Sequence, residues 1–489
     1  MTTRLPANPS MEQLRTIARD LHRDIAAGDD AALAALADHH PRPPADPSAA
    51  KRSDAQLVVA RWYGFPSWNR LRSHVELRND LARSPHEAPV DDSVAPEERF
   101  AALACLTYGG DHPDRRRTAR DLLTADPSLA TRDVWSMAVA GEAAALAEAV
   151  DGEPQLVNAE GGPLRWPPLL YAAYSRLEPL DPGRSLLDVA QVLLDRGADP
   201  DAGYLWEGLH SPFTALTGAF GGGEDAVNQP PHPDSEAFAR LLLQHGADPN
   251  DNQALYNRMF DPDDSHLVLL FEHGLGTGDG GPWHQRLGDA AESIPDMLAM
   301  QLQFAASRNM PTRVRLLLDH GVEPDGQCGH PTFHGRSAIE LAQRIDATEV
   351  VDMLFAAGAS PPELDDDQRF VAACMRADEA EARRLLAADP GTIARLEAQD
   401  PPTVLAASAG NVEALRLMVA LGCDVDAVGR IGALHEAASN GDLATVQALL
   451  DLGADPNARD NAFDAPALGW ARHEGHDGVI ALLEPLTEE

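Results

Sequence analysis

Several sets of histidine, cysteine and carboxylate residues are spaced closely enough to suggest chemistry. Cys328, His330 and His334 place three metal-ligand side chains within seven positions. A zinc site needs a fourth ligand in tetrahedral geometry, and no second pair with ligand spacing accompanies them. We therefore expect polar loop histidines here and no metal.

A second histidine pair, His473 and His476, flanks Glu474 and Gly475. In the helical zinc-protease motif the two histidines are four positions apart, which is one more than here. We expect this pair at a turn between two helices. The sequence also has no G-x-S-x-G nucleophile motif, and we expect no catalytic residues.

A group of histidines and carboxylates follows residue 204. A carboxylate beside a histidine can act as acid and base, but nothing in the sequence fixes the mutual geometry of these residues. They leave open an alternative function, in which the loops around residues 204–235 bind or convert a small ligand. The residues concerned are His210, Glu224, Asp225, His232 and Asp234.

The elements that position these residues repeat along the chain, and the clearest copy covers residues 431–460, IGALHEAASNGDLATVQALLDLGADPNARD. Small residues at Ala433, Ala437 and Ala438 predict a first helix that ends near Gly441, because glycine readily adopts the left-handed conformation that caps a helix. Apolar residues then recur at helical spacing on a second helix, which Gly453 closes. A polar turn that contains Pro456 follows.

The closing half of this unit recurs many times. Two such helices cannot bury their apolar faces alone, whereas stacked copies can. The copies begin at Leu193 (LLDRGADP), Leu242 (LLQHGADP), Leu317 (LLDHGVEP), Leu354 (LFAAGASP) and Val419 (VALGCDV), with looser relatives at Leu122 and Leu385.

This pattern resembles the ankyrin repeat family, whose unit of about 33 residues opens with T-P-L-H-x-A. Leu434, His435 and Ala437 match that opening, and Gly453, Ala454 and Asp455 match the family's closing G-A-D. The resemblance covers residues 93–489 in about ten or eleven units and is weakest around residues 252–310. It implies an all-α fold, a solenoid of stacked helix-turn-helix units.

Residues 1–92 differ from the array. Serines at positions 10 and 53, each with a glutamine three residues later, predict the starts of two helices. Residues 41–47 form a proline-rich linker that cannot be helical. We expect this leader to be a small helical cap on the first repeat, because the terminal units of a solenoid must be polar outward.

Insertions interrupt the repeats in three places, at residues 175–184, 221–235 and 274–283. The first two fall between the helices of one unit and should lie on one side of the array. The third is glycine-rich, but it lacks the strand and the lysine of a phosphate-binding loop, so we expect a flexible loop.

Net charge narrows the classes of partner. The chain carries a formal charge of −38, and residues 1–92 contribute almost nothing to it, with 12 Lys and Arg against 13 Asp and Glu. An acidic array repels nucleic acid and anionic membrane surfaces, whereas a basic protein suits it. Without a long apolar run or an N-terminal signal, and with four scattered cysteines, we expect a cytoplasmic protein that needs no cofactor.

The resemblance implies a protein-interaction module that uses the concave face and loop tips of the array. Five of the thirteen Trp and Tyr residues fall between positions 166 and 206, and two of them follow a G-A-D close, where repeats project their loop tips. We expect these aromatics to face solvent and bind the partner, although they could instead pack beneath the insertions. The predicted partner-binding residues are Trp166, Tyr171, Tyr174, Tyr204, Trp206 and His210.

Overall fold

The computed structural model describes residues 9–488 except 45, 179–182, 334 and 363. It divides the chain into two compact units, Met1–Ile294 and Pro295–Glu489. Helices dominate both units, which confirms the predicted all-α repeat fold. The expected boundary after residue 92 falls inside the first unit. No helix in the described ranges is both long and apolar enough to cross a membrane.

The leader is a four-helix subdomain within the first unit. Ser10 caps its first helix and accepts a hydrogen bond from the Gln13 amide at 3.3 Å, as predicted. The third helix starts two residues earlier than we expected, with Lys51 instead of Ser53 at its cap position, because the Asp54 carboxylate accepts from the Lys51 amide at 2.7 Å. The helices are α1 (Met11–Ala27), α2 (Asp30–His39), α3 (Arg52–Trp62) and α4 (Trp68–Leu81).

Five helix pairs and one additional helix follow in the described part of the first unit. The pairs are α5 (Pro96–Ala104) with α6 (Pro113–Ala125), α7 (Val134–Ala140) with α8 (Ala143–Gly152), α9 (Pro168–Tyr174) with α10 (Leu186–Asp195), α11 (Ala215–Phe220) with α12 (Ser235–Gln244), and α13 (Asn252–Met259) with α14 (Ser265–Glu272); α15 (Gly281–Leu287) follows them. Since α15 begins at Gly281, the expectation of a loop throughout residues 274–283 is wrong.

The second unit holds six helix pairs and one additional helix in its described residues. They are α16 (Ile294–Ser307) with α17 (Pro311–Asp319), α18 (Ala338–Arg344) with α19 (Thr348–Ala356), α20 (Asp366–Met375) with α21 (Glu379–Ala388), then the additional α22 (Thr392–Gln399), α23 (Pro402–Ser408) with α24 (Val412–Ala420), α25 (Ala433–Ser439) with α26 (Leu443–Asp451), and α27 (Ala467–Glu474) with α28 (Asp477–Leu483). One continuous apolar core runs from Phe370 to Leu483.

One type of hydrogen bond recurs between neighbouring repeats, and it explains why the closing sequence G-A-D-P-x ends on a polar residue. The side chain two positions after the aspartate accepts a hydrogen bond from a backbone N–H in the closing sequence of the next repeat. Asp201 accepts from the Asp248 amide at 2.8 Å, and Asp426 accepts from the Asp455 amide at 2.9 Å. Such bonds satisfy turn amides that the helices leave without a partner.

The strands of the described residues all lie in the first unit, in one small sheet. Strand β2 (Gly203–Trp206) pairs antiparallel with β3 (Pro212–Thr214), and β1 (Ala82–Arg83) from the leader pairs parallel with β2. A side chain at Gly203 would lie 2.9 Å from both the Phe213 carbonyl and the Trp283 ring, so only glycine allows this close approach.

Candidate partner-binding surfaces

Four of the six predicted partner-binding residues are buried. Trp166, Tyr171, Tyr174 and Tyr204 are each at most 2% exposed, so the expectation that they face solvent is wrong. Their rings pack on one another, with the Trp166 ring centre 4.9 Å from that of Tyr174 and 5.0 Å from that of Tyr204. The other interpretation that the sequence left open, packing beneath the insertions, agrees with this placement.

Hydrogen bonds hold two of these phenols in place. The Tyr171 hydroxyl donates to the Gly161 carbonyl and accepts from the Leu164 amide, both at 2.9 Å. The Tyr174 hydroxyl donates to the Thr214 carbonyl at 2.9 Å. Burial raises the pKa of both phenols well above the ordinary value, because an interior without water disfavours the phenolate.

The remaining two predicted residues, Trp206 and His210, lie beside the leader. The Trp206 indole donates to the Thr107 carbonyl at 2.9 Å, and its ring stacks on His86 with centres 5.0 Å apart. His210 is exposed, and its ring centre lies 6.0 Å from that of His74. The structure thus brings five of the six residues into or against one aromatic cluster, and both Trp206 and the exposed His210 contact rings of the leader.

The insertions between helices lock together through one buried arginine. The Arg176 guanidinium donates to the carbonyls of Pro230 at 2.7 Å and Gly218 at 2.6 Å, and also to those of Ala173 and Ser175. Burial lowers its pKa to about 10, because the cation has lost its water. An arginine that crosslinks two loops in this way gives them a structural role.

The candidate acid–base residues of these loops do not gather into one site. His232 is buried against Phe238, and burial lowers its pKa to about 3, whereas His210 stacks on the leader. Glu224 accepts a hydrogen bond from the Tyr256 hydroxyl at 2.7 Å, and Asp225 accepts from the Asn228 amide group. These four side chains therefore have different neighbours, while Asp234 contacts His232 through its backbone amide, which donates to Nδ1 at 3.0 Å.

The structure describes two of the three metal-type residues between positions 328 and 334. The Cys328 amide donates to the Gln303 side chain at 2.8 Å, His330 lies against Phe333, and His334 falls outside the described residues. His476 lies within 2.9 Å of the Ser439 carbonyl at the turn between α27 and α28, which is the predicted location. Within the described ranges, no three His, Cys, Asp or Glu residues are grouped to hold a metal.

An exposed aromatic residue that the sequence did not reveal lies in the turn before the final helix pair, Arg459–Pro466. Phe463 is 66% exposed, and its ring packs edge-on against Trp470 of α27, with ring centres 5.4 Å apart. We call residues 459–466 the Phe463 turn. An exposed phenylalanine on a rigid support is a typical anchor for a binding partner.

The carboxylate of Asp460 shapes the Phe463 turn. Its Oδ1 accepts from the backbone amides of Ala462 at 2.7 Å and Phe463 at 2.6 Å, and its Oδ2 accepts from the Trp470 indole at 2.8 Å. Burial alone would raise the pKa of Asp460, but these donors outweigh burial and lower it. One ionised side chain therefore orients both aromatic residues.

The preceding turn supports the Phe463 turn from the side. The Asn461 amide donates to the Arg430 carbonyl at 3.2 Å, and its side chain donates to the Gly429 carbonyl at 3.0 Å. His435 of α25 lies with Nε2 3.1 Å from the carbonyls of both Ala458 and Ala465, at the two ends of the turn. The turn is thus held at its base and its flank while its tip stays open.

Comparison with known proteins identifies the family that the repeats of the second unit match. A family model described as ankyrin repeats matches residues 370–460 in three copies. Residues 370–460 of this chain are ankyrin repeats. It is also 38% identical over 89 residues to ankyrin repeat protein nuc-2 of Neurospora crassa. That match covers 18% of this chain and 8% of the fungal protein, so the chain spans less than a tenth of the relative's length.

The Phe463 turn lies just beyond the matched ankyrin repeats. The match ends at Asp460, the residue that holds the turn, and the final pair α27 and α28 continues the same core. The signal for the site is therefore local. An aromatic residue stands in an otherwise polar turn, N-A-F-D, three positions after an aspartate that can cap it.

Proposed function

We propose that the chain binds a protein partner and that the Phe463 turn, together with Trp470, is the centre of the contact. Ankyrin repeats are generally protein-interaction modules, which supports the class of function. The observation that carries the site is the exposure of Phe463 on a turn fixed by Asp460. A pre-ordered aromatic anchor loses little conformational entropy on binding.

Charge favours a basic partner. Residues 295–489 contain 14 arginines and no lysine against 32 aspartates and glutamates. At the turn itself, the Asp464 side chain is 86% exposed. We infer a partner surface with an apolar pocket for Phe463 and a rim of Lys or Arg. The buried free cysteines suit a reducing compartment, so we also propose that the partner is met in the cytoplasm.

The experiment uses a matched pair of phenylalanine substitutions. A partner captured with the full chain is identified, purified and titrated against wild-type protein, Phe463→Ala and Phe355→Ala. Phe355 is also exposed, at 41%, but it lies on the second helix of its pair. We expect Phe463→Ala to weaken binding by about 2 kcal/mol, or roughly 30-fold, and Phe355→Ala to leave it unchanged.

Both variants should keep the melting temperature of the wild type, since neither side chain fills the core. Equal affinities for the three proteins would place the contact elsewhere. A loss of affinity only in Phe355→Ala would assign it to the second helices instead.

A small-ligand function is the second candidate, and one buried atom favours it. The indole nitrogen of Trp166 has no hydrogen-bond partner among the described residues, although the side chain is 1% exposed. A buried N–H group rarely stays without an acceptor, which a small molecule could supply. Native mass spectrometry tests this candidate: a bound mass that Trp166→Phe loses would support it, and wild-type protein of bare mass would count against it. Ankyrin repeats are typically not enzymes.

A further inference from the structure

The leader docks on the rest of the first unit by adding a strand to a turn between two helix pairs. Ala82 and Arg83 lie in register with Leu205 and Trp206 of β2, and the Glu207 amide donates to the Arg83 carbonyl at 2.9 Å. Main-chain hydrogen bonds of this kind are how sheet edges bind extended peptide segments. Without β1, this edge of β2 would present open backbone groups.

Apolar side chains complete the contact on one face of the sheet. Leu205, Trp283 and Leu287 form a small buried cluster, and Leu77 and Leu81 of the leader pack against it. The two leucines are four residues apart and therefore share one face of α4. We call Leu205, Trp283, Leu287 and the edge of β2 that pairs with β1 the β2 surface.

Two arginines of the leader fix the contact further. Arg78 is 2% exposed, and its guanidinium donates to the Gly208 carbonyl in the turn between β2 and β3. Arg83 is also buried, and it pairs with Glu160 at 2.5 Å. Buried guanidinium groups that donate to defined acceptors make a contact specific, which apolar packing alone does not.

The leader keeps its own core apart from this contact. One cluster joins Leu14 and Ala18 of α1 to residues of α3 and α4, and another joins Ile25 to residues of α2 and α3. The leader therefore meets the β2 surface as a folded subdomain with a strand at its end. This arrangement matches a ligand on a docking site more closely than a strand within a core.

We propose that the β2 surface is a protein-docking site whose built-in occupant is the leader of this chain. An outside segment with two aliphatic residues on one helix turn and a following strand can bind only when the leader is displaced. The proposal does not depend on the Phe463 turn, because it concerns a surface of the first unit.

Displacement of the leader in the full chain tests the proposal. The double variant Leu77→Asp and Leu81→Asp places two charges in the apolar contact, whereas Ser73→Asp and Asn79→Asp adds the same charges at exposed positions of α4. Hydrogen exchange is followed at the amides of residues 205–207. We expect exchange there to accelerate at least about tenfold in the first variant and to stay at the wild-type rate in the second.

A labelled peptide of residues 66–92, added to the three intact chains, reports whether the surface is open. We expect it to bind the leucine variant at least about tenfold more tightly than the wild type or the control. Equal binding to all three, or unchanged exchange at residues 205–207, would overturn the proposal. If the leucine variant loses helical content, Arg78→Met provides the same test, because it removes the donors to Gly208 and keeps the aliphatic stem.

Discussion

Two turns between helix pairs carry aromatic residues, and they differ in what surrounds them. The turn Gly203–Thr214 is covered by the leader and by the rings beneath it, so Tyr204 is 2% exposed. The Phe463 turn has no such cover within the described residues and leaves Phe463 66% exposed. The density of aromatics in the sequence is higher at the first turn. Accessibility therefore follows from added elements nearby and not from aromatic content.

The two turns are also held by different means. In the first, backbone pairing with β1 and β3 fixes every residue of β2, and the side chains fill space between the insertions. In the second, one carboxylate and one neighbouring turn hold the backbone, and none of these bonds uses the side chain at the tip. A surface built in the second way can be changed at its tip with little effect on folding.

The largest expected effect tests this contrast in stability. Trp166→Ala should lower the free energy of unfolding of the first unit by about 3 to 5 kcal/mol, because it leaves a large cavity among packed rings. Phe463→Ala should stay within about 0.5 kcal/mol of the wild type. Urea unfolding of both variants measures the difference. Similar losses in the two would mean that the Phe463 turn is part of the core after all.

A smaller effect is expected at the base of the Phe463 turn. Asp460→Ala removes an acceptor shared by two amides and the indole of Trp470, and it should cost about 2 kcal/mol and accelerate hydrogen exchange across residues 459–466. Asp460→Asn is the matched control, since its carbonyl oxygen can still accept from both amides. An alanine variant with wild-type exchange would show that the neighbouring turn alone orders the tip.

The repeat itself could be predicted from the sequence because the residues that define each helix pair lie close together in sequence. Small residues such as Ala437, leucines at helical spacing and a closing glycine such as Gly453 all lie within one unit, so short-range rules find them. The family match over residues 370–460 agrees with the clearest of these copies. The two insertions between paired helices were also visible, because they interrupt a known spacing.

Helix α15, strand β1 and the buried aromatics, unlike the Phe463 turn with its local signal, depend on contacts between residues far apart in sequence. Helix α15 forms in a glycine-rich stretch where the Trp283 indole donates to the Asp201 carbonyl at 2.9 Å, and β1 finds its partner strand more than a hundred residues later. No local pattern encodes such pairings. Because the neighbours of Trp166 and Tyr204 come from several loops, the sequence did not predict the burial of these two side chains either.

The leader illustrates the same limit. Its polar starts and apolar stripes predicted helices, and we expected those helices to cover the end of the first pair. In the structure, α4 packs against β2 and α15. A role in capping the first pair remains a prediction. The sequence could show that the leader has an apolar face but not which of the available surfaces it covers.

The smallest expected effect concerns pH and the covered turn. The pKa of His74 is lowered to about 4, first by burial and then by the charges of Arg78 and His210. Release of the leader would remove His210 and the burial at the contact, so the pKa of His74 would rise toward its ordinary value of about 6.5, whereas the docked leader resists protonation. His74 thus leaves docking undisturbed above about pH 7, and opposes it increasingly as the pH falls from 6.5 toward 4.

Because His74 is about half buried and solvent screens its charge, we expect the loss to be about 1 kcal/mol at pH 5. Hydrogen exchange at residues 205–207, corrected for its intrinsic dependence on pH, should therefore accelerate several-fold between pH 7.5 and pH 5 in the wild type. In His74→Phe, which keeps a ring against Phe65 and cannot be protonated, the acceleration should disappear. If the variant keeps it, the sensitivity to pH arises elsewhere, and His74 does not distinguish the covered turn from the open one.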